Sequence, residues 1–264
     1  MLLAFDIGNS GISFGVFDLN QEPTALRMQA RISSDLKRSA DEYIFFLRSI
    51  LDIHQITASM IDCAAVSSVV PELTAVIAAA ARFFCSNDPL IIGPGVRTGL
   101  NIRIDQQTQL GADIVANTVA ALSLVPAPAV IVDLGTATTF AAVDQTSALI
   151  GTVICPGIRT SLNALASAAS LLAGSDLIRP DFLIGKNTHD SVNSGVLNGH
   201  ILMVDGFIRE LRQNLCDDSE QKLSLIATGG LAEYVIPHCR NKFRMVPALT
   251  LCGVAEIFRR NSVR

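Results

Sequence analysis

One short pattern occurs twice in the chain and constrains its fold more than anything else in the sequence. Asp6-Ile7-Gly8-Asn9-Ser10 and Asp133-Leu134-Gly135-Thr136-Ala137 share the form D-x-G-[N/T]-small. Each follows an apolar strand and precedes a β-branched or aromatic one. They start at positions 6 and 133, 127 residues apart, close to half of the 264-residue length. A repeat at half the chain length predicts two similar domains facing each other across a cleft. A weaker echo supports this: Val66-Ser67-Ser68 and Ala227-Thr228-Gly229-Gly230 each end a strand before a helix. At about 100–200 residues per domain the length allows one large domain or two small ones; with the repeat, the expected division is 1–115 and 116–264.

Composition narrows the class. Half the residues are apolar and 17% are charged, against about 25% charged in an ordinary soluble domain. That predicts a sizeable core and excludes disorder as the main state. It also fits a homodimer, whose interface is more apolar than other surfaces. A net charge of −4 weighs against a nucleic-acid partner. Arg259, Arg260 and Arg264 read as a solvated helix end. Six cysteines without a C-x-x-C pair read as buried thiols in a reducing, cytoplasmic compartment. The N-terminus lacks a basic n-region and Asp6 interrupts its apolar run, so no signal peptide is expected. Ile114–Val132 carries no charge over 19 residues, long enough for a membrane span. Asn117, Pro126 and Pro128 favour a helix, a proline turn and a buried strand instead, so no membrane partner is expected.

Strands are predicted at the N-terminus, Ile12–Leu19, Met28–Ile32, Ile61–Val66, Leu90–Ile92, Val130–Asp133, Thr138–Val143, Leu149–Val153 and Leu223–Ala227. Gly8 to Gly11 joins the first two as a hairpin. Ser39 with Glu42 forms a capping box, opening a helix that buries Tyr43, Phe46, Leu47 and Ile50. Further helices are predicted from Pro71 to about Phe84, and over Gly111–Val125, Gly157–Leu172, Ser191–Leu215 and Leu249–Arg260. Strands lead and helices follow in each half, which gives an α/β class with mixed sheets.

The repeated turn has a chemistry. Glycine lets the backbone approach an anion without a Cβ clash. Successive turn N–H groups can point at phosphate oxygens, a Ser or Thr hydroxyl adds a donor, and a carboxylate at the strand end can hold a cation. Two such hairpins would grip a polyphosphate from both sides, whereas a plain β-turn uses Asp and Gly for conformational reasons alone. Other nucleotide and hydrolase motifs are missing: there is no G-x-x-x-x-G-K-[S/T], no G-x-G-x-x-G after a strand, no H-E-x-x-H and no G-x-S-x-G. The four histidines lack metal-ligand spacing and read as surface or capping residues. Phosphoryl transfer needs alignment, a cation and often a carboxylate that takes the acceptor's proton. Asp113, in the first turn of an otherwise uncharged helix, is the candidate base. A helix N-terminal acid favoured by the macrodipole is the other reading.

At these residues the sequence resembles the type III pantothenate kinases. The resemblance rests on DIGNS at 6–10, Ile92-Gly93-Pro94-Gly95, TGLNI at 98–102, GAD at 111–113 and DLGTATT at 133–139. Pro156-Gly157, Ile184-Gly185-Lys186-Asn187-Thr188, ATGGL at 227–231 and Leu249-Thr250-Leu251 continue it. It implies two ribonuclease-H-like domains of the acetate and sugar kinase, heat-shock chaperone and actin superfamily, with ATP in a central cleft. It further implies phosphorylation of pantothenate to 4'-phosphopantothenate, the first step of coenzyme A synthesis. Expected with it are a homodimer, Mg²⁺, and K⁺ or NH₄⁺. By motif, Asp6, Gly8, Asn9, Ser10 and Ser13 would bind ATP phosphates, with Asp6 near the Mg²⁺. Gly135 and Thr136 would also meet ATP, and Asp133 the monovalent cation. Gly111, Ala112, Asp113, Ile114 and Thr188 would contact pantothenate, with Asp113 as general base.

The sequence departs from the family pattern on the acceptor side. The Arg that normally follows the catalytic Asp is Ile114, the upstream Tyr of the pantothenate pocket is Ile104, and the usual Pro is Gln107. Leu171–Leu177 lacks a Leu-Pro step. Losing the Arg removes five donors from a site that greets a carboxylate, at roughly 1.5–3 kcal/mol, or about tenfold to a hundredfold in affinity. Arg103 or Arg159 could compensate. Ile104 and Ile114 also motivate two rival readings: a non-catalytic or regulatory relative, and a superfamily kinase for another small alcohol. An actin-like filament protein is a more distant one.

Overall fold

The computed structural model describes residues 1–21, 25–168, 177–178, 180, 182–216 and 222–262. The strands are β1 (Leu2–Ile7), β2 (Ile12–Asp18), β3 (Ala25–Ile32), β4 (Cys63–Ser68), β5 (Leu90–Ile91), β6 (Asn101–Ile102), β7 (Ala129–Leu134), β8 (Ala137–Val143), β9 (Ala148–Pro156), β10 (Ser224–Thr228) and β11 (Arg244–Met245). The helices are α1 (Ala40–Ile53), α2 (Pro71–Ala81), α3 (Ala112–Leu124), α4 (Ile158–Ala168), α5 (Thr188–Asn193), α6 (Gly199–Leu215), α7 (Ala232–Val235) and α8 (Leu249–Ser262).

The chain divides into two compact units. The first comprises Met1–Leu100, Asp105–Ser123 and Ala248–Arg264. Its sheet has the order β3-β2-β1-β4-β5, with β1, β2 and β3 antiparallel and β4 and β5 parallel to β1. Alternation along β1 sends Leu3, Phe5 and Ile7 into a core with Tyr43, Leu47, Leu51, Leu73 and Ile77 of α1 and α2. Each such side chain, fully buried, contributes about 1.5–3 kcal/mol. The expected capping box is present: Ser39 Oγ accepts from Glu42 N at 3.3 Å and Glu42 Oε2 from Ser39 N at 2.8 Å. Phe46 and Ile50 are only half-buried, and Phe46 carries Arg38 over its ring at 4.7 Å. On α8, a Cβ at Gly253 would stand 1.9 Å from the Ala116 carbonyl oxygen of α3, so the two helix backbones touch.

The second unit comprises Asn101–Ile104 and Leu124–Pro247, with sheet order β11-β10-β7-β8-β9-β6. Val130, Val132, Leu134 and Phe140 build its core with residues of α4, α5 and α6. Strands β9-β8-β7-β10-β11 repeat the order and the directions of β3-β2-β1-β4-β5. The half-length repeat in the sequence is therefore a repeat of topology.

The structure departs from the sequence reading in several places. Residues 248–264 belong to the first unit, and position 115 lies within α3 rather than between units. The helix expected over Ser191–Leu215 starts at Thr188 and is interrupted by a π turn over Ser194–Asn198. The helix expected over Gly157–Leu172 is α4; positions 169–172, most of Leu171–Leu177, and Arg264 lie outside the described residues. His200 is buried rather than at the surface, with Nδ1 2.6 Å from the Val196 carbonyl oxygen and Nε2 3.2 Å from that of Pro156. All six cysteines are free thiols, and only Cys85 is fully buried. Among the described residues no helix is long and apolar enough to cross a membrane.

Candidate active site

In the first unit, Gly8 N donates to Gly11 O at 3.0 Å and closes the turn between β1 and β2, leaving Asn9 and Ser10 exposed at its tip. Asp6 sits one residue before the end of β1. Strand register sets it opposite Ser13 on β2 and Ser67 on β4, and Ser13 in turn opposite Arg31 on β3. Directly opposed residues share a face. Arg31, Ser13, Asp6 and Ser67 thus form one polar row across four strands at the turn end of the sheet. Ser67 Oγ donates to Asp6 Oδ1 at 3.4 Å.

Asp113 lies in the first turn of α3. Its Oδ1 accepts from Ile114 N at 2.8 Å. The carboxylate lies over Gly111, where a Cβ would come 2.3 Å from Asp113 Oδ1 and 3.4 Å from Val69 Cγ1. Val69 is the first residue past β4, and its N–H donates to Ile7 O at 3.0 Å. The α3 N-terminus therefore meets this sheet at the end where Asp6 and Ser67 stand. Burial pushes the Asp113 carboxyl above the usual carboxylate range, against the backbone N–H groups of Ile114 and Asp113, which pull it down. A carboxylate whose pKa is raised by desolvation accepts a proton more readily than an ordinary one. Ala112 and Gly111 are half-buried beside it, and Ile114 is buried.

In the second unit, Gly135 N donates to Ala137 O at 3.0 Å, the counterpart of the first turn. Asp133 stands opposite Thr139 and Thr228, and Thr136 is exposed at the tip. Two glycines support this turn from behind. A Cβ at Gly157 would fall 2.3 Å from Thr136 O, and one at Gly229 2.5 Å from Asp133 Oδ1. Gly229 also has φ +96°, which other residues rarely adopt. Gly157 N and Thr160 Oγ1 both donate to Thr136 O, at 3.1 and 2.6 Å. The sequence reading gave these glycines no role; their signal was a glycine directly after each of β9 and β10.

Thr188 opens α5, whose N-cap Asn187 accepts from Asp190 N at 2.8 Å. It lines an open cavity of about 530 Å³ with Lys186, Asn187, Ser191 and Leu165 of α4. Of the two compensating arginines considered from sequence, Arg103 Nη1 is paired with Asp144 Oδ2 at 3.3 Å, and Arg159 is exposed on the first turn of α4. Ile104 is half-buried and Gln107 exposed.

The sequence model of a family described as type III pantothenate kinase matches residues 2–210. A type III pantothenate kinase of Moorella thermoacetica is 37% identical over 262 residues, covering 99% of this chain and 100% of the relative. Among solved structures, a conserved protein assigned to the Baf family of transcriptional activators from Campylobacter jejuni superposes with a TM-score of 0.60 at 18% identity, over 98% of each chain. The activator of 2-hydroxyisocaproyl-CoA dehydratase from Clostridium difficile, with bound ADPNP, superposes with a TM-score of 0.53 at 10% identity, over 100% of this chain and 98% of that one. At such identities these structures speak to the fold alone. The sequence matches go further, because the family model covers most of the chain and the relative is matched over its whole length: the chain belongs to the type III pantothenate kinase family.

Proposed function

We propose that the protein transfers the γ-phosphoryl group of ATP to the primary hydroxyl of pantothenate, giving 4'-phosphopantothenate and ADP. The observation that carries this reading is Asp113: a desolvated carboxylate at a helix N-terminus, in a chain of this family. Asp113 accepts the hydroxyl proton as the oxygen attacks phosphorus, and the bond from the γ-phosphorus to the bridging oxygen breaks. Asp6, Gly8, Asn9, Ser10 and Ser13 take ATP phosphates in the first unit, and Gly135 and Thr136 do so in the second.

The donor set fits Mg²⁺ held jointly with the nucleotide. Among the described residues no three His, Cys, Asp or Glu side chains gather as a metal cage, and Asp6 offers one carboxylate in a row of hydroxyls. Mg²⁺ is ordinarily held by one or two carboxylates, substrate phosphates and water, and when bound it neutralises charge on the phosphates. Asp133, between Thr139 and Thr228 in register, offers oxygen donors suited to K⁺ or NH₄⁺. Pantothenate meets Gly111, Ala112, Asp113, Ile114 and Thr188.

Two broader assignments accompany this reading. Phe182, Leu183 and Ile184 are each mostly exposed, an apolar patch of the kind that marks interfaces. We take this patch as support for a homodimer, and sedimentation showing only monomer at assay concentration would reject it. Six free thiols suit a reducing cytoplasm.

The deciding experiment is a coupled assay with ATP, pantothenate, Mg²⁺ and K⁺. Turnover by wild type that Asp113→Asn abolishes supports the reading, and equal rates in the two reject it. Replacing K⁺ with Na⁺ tests the monovalent cation.

A further inference from the structure

We propose that Arg31 is a ligand of the nucleotide's phosphate tail: a guanidinium laid on the first hairpin to meet the β- and γ-phosphates. The assignment rests on the reading of that hairpin as a nucleotide site.

Three contacts place Arg31 there. A Cβ on Gly11 would stand 2.4 Å from Arg31 Nε and 2.8 Å from Nη2, so the guanidinium lies against the last residue of the turn. Register puts Arg31 beside Ser13 in the row that leads to Asp6 and Ser67. Just past β3, Ser34 Oγ donates to Gly8 O at 2.6 Å, fastening the segment that carries Arg31 to the opposite end of the same turn.

The charge itself is uncommitted. Several other arginines of this unit pair with carboxylates: Arg27, also on β3, with Asp18 at 2.7 Å, Arg38 with Asp35 at 3.5 Å and Arg260 with Glu256 at 2.9 Å. The Arg31 side chain makes no ion pair and no hydrogen bond among the described residues. It is exposed, so a ligand can reach it. A planar guanidinium offers forked donors that match a phosphate's oxygens.

The repeated fold does not require this residue. In the second sheet the position opposite Thr139 on β9, equivalent to Arg31 opposite Ser13, is Ile154, which is 64% exposed. An aliphatic side chain serves the same topology there. The guanidinium is therefore peculiar to the first hairpin and answers to a ligand of that hairpin rather than to the architecture.

The test is calorimetric titration of the full chain and its Arg31→Gln and Arg31→Lys variants with Mg²⁺ and ATP, ADP or AMP, alongside KM values for ATP and pantothenate. Arg31→Gln is expected to weaken ATP and ADP by about tenfold or more, the scale of one charge-assisted contact. AMP affinity and the KM for pantothenate should move less than about twofold on the same argument, and Arg31→Lys should recover part of the loss. A residue that merely shaped the turn would weaken AMP as much as ATP, and that result overturns the assignment, as does unchanged ATP and ADP affinity. If Arg31→Gln does not fold, Gly11→Ala displaces the guanidinium from below and must show the same phosphate-dependent loss. Pantothenate turnover by wild type with an indifferent Arg31 rejects this inference alone. Arg31-dependent ATP binding without pantothenate turnover rejects the proposed reaction alone, and a wild type that binds no nucleotide rejects both.

Discussion

Ser67 donates its hydroxyl to Asp6 Oδ1 at 3.4 Å across the parallel pair of β4 and β1, and Thr228 stands opposite Asp133 at the equivalent position of β10 and β7. Each sheet ends a buried apolar strand with a half-buried carboxylate facing a neighbouring hydroxyl. Placing a carboxylate beside a core is costly unless it is hydrogen-bonded or meets a cation. That the arrangement recurs in both sheets points to ligand binding rather than to packing.

Asp6→Asn separates those two uses. The amide keeps an acceptor for Ser67 and nearly the same volume, so thermal stability should change by less than about 1 kcal/mol. Losing the charge removes a partner for a phosphate-bound cation, and kcat/KM for ATP should fall by about a hundredfold or more. Mg²⁺ titrations of the steady-state rate, run beside a melting curve, check both halves. A large drop in melting temperature with unchanged Mg²⁺ demand would show that Asp6 is structural.

Gly229→Ala tests the support behind the second hairpin. The added methyl meets Asp133 Oδ1 and the Leu134 backbone, at a φ of +96°. Overpacking and left-handed strain together cost about 1–3 kcal/mol, a fall in melting temperature of roughly 2–12 °C. Asp133 must shift to make room, so the K⁺ concentration for half-maximal rate should rise as well.

Much of this was legible in the sequence because it is local. The hairpin turn, the capping box at Ser39 and the strand–turn pattern around Asp133 depend on residues within a few positions of each other. The two-residue strands β6 and β11 are too short to show a period. The π turn at Ser194 keeps helical spacing on either side and leaves no mark in apolar periodicity. The return of α8 to the first unit, with Gly253 against Ala116, joins positions more than half the chain apart. Arg31 was invisible for the same reason: as a polar residue alternating in a strand it looks solvated, and only the register of β2 on β3 brings it over Gly11.

Ile114, which the resemblance sets where the family has Arg, is buried, and under the proposed reading the carboxylate of pantothenate then needs another cation. Lys186 lines the Thr188 cavity, while Arg103 is engaged with Asp144. Lys186→Ala should therefore raise the KM for pantothenate by about fivefold to thirtyfold, the range of one solvated charge-assisted contact, and leave the KM for ATP unchanged. Steady-state kinetics with each substrate varied in turn reads this directly, and a parallel rise in both KM values would count against it.

Asp113→Asn should reduce turnover and raise stability together. Removing a general base costs about 10²–10⁴-fold in rate. The stability sign follows from the raised carboxyl of the folded state, which burial holds above its ordinary value of 3.8. Below that value Asp113 is protonated both folded and unfolded and contributes no pH dependence. As pH rises past it the unfolded chain releases the proton first, so the folded state binds more protons and stability falls with pH. Above the raised pKa the full penalty of a buried charge is present. Asparagine carries no such penalty, so the variant should melt above wild type at pH 7 and converge with it in acid. The same shift moves the acid limb of the wild-type rate profile up from the ordinary value of 3.8, since the base must be ionised to act. Melting curves from pH 4 to 8 with a matching rate profile test both. A variant less stable than wild type at pH 7 would show that the backbone hydrogen bonds to the carboxylate outweigh its burial.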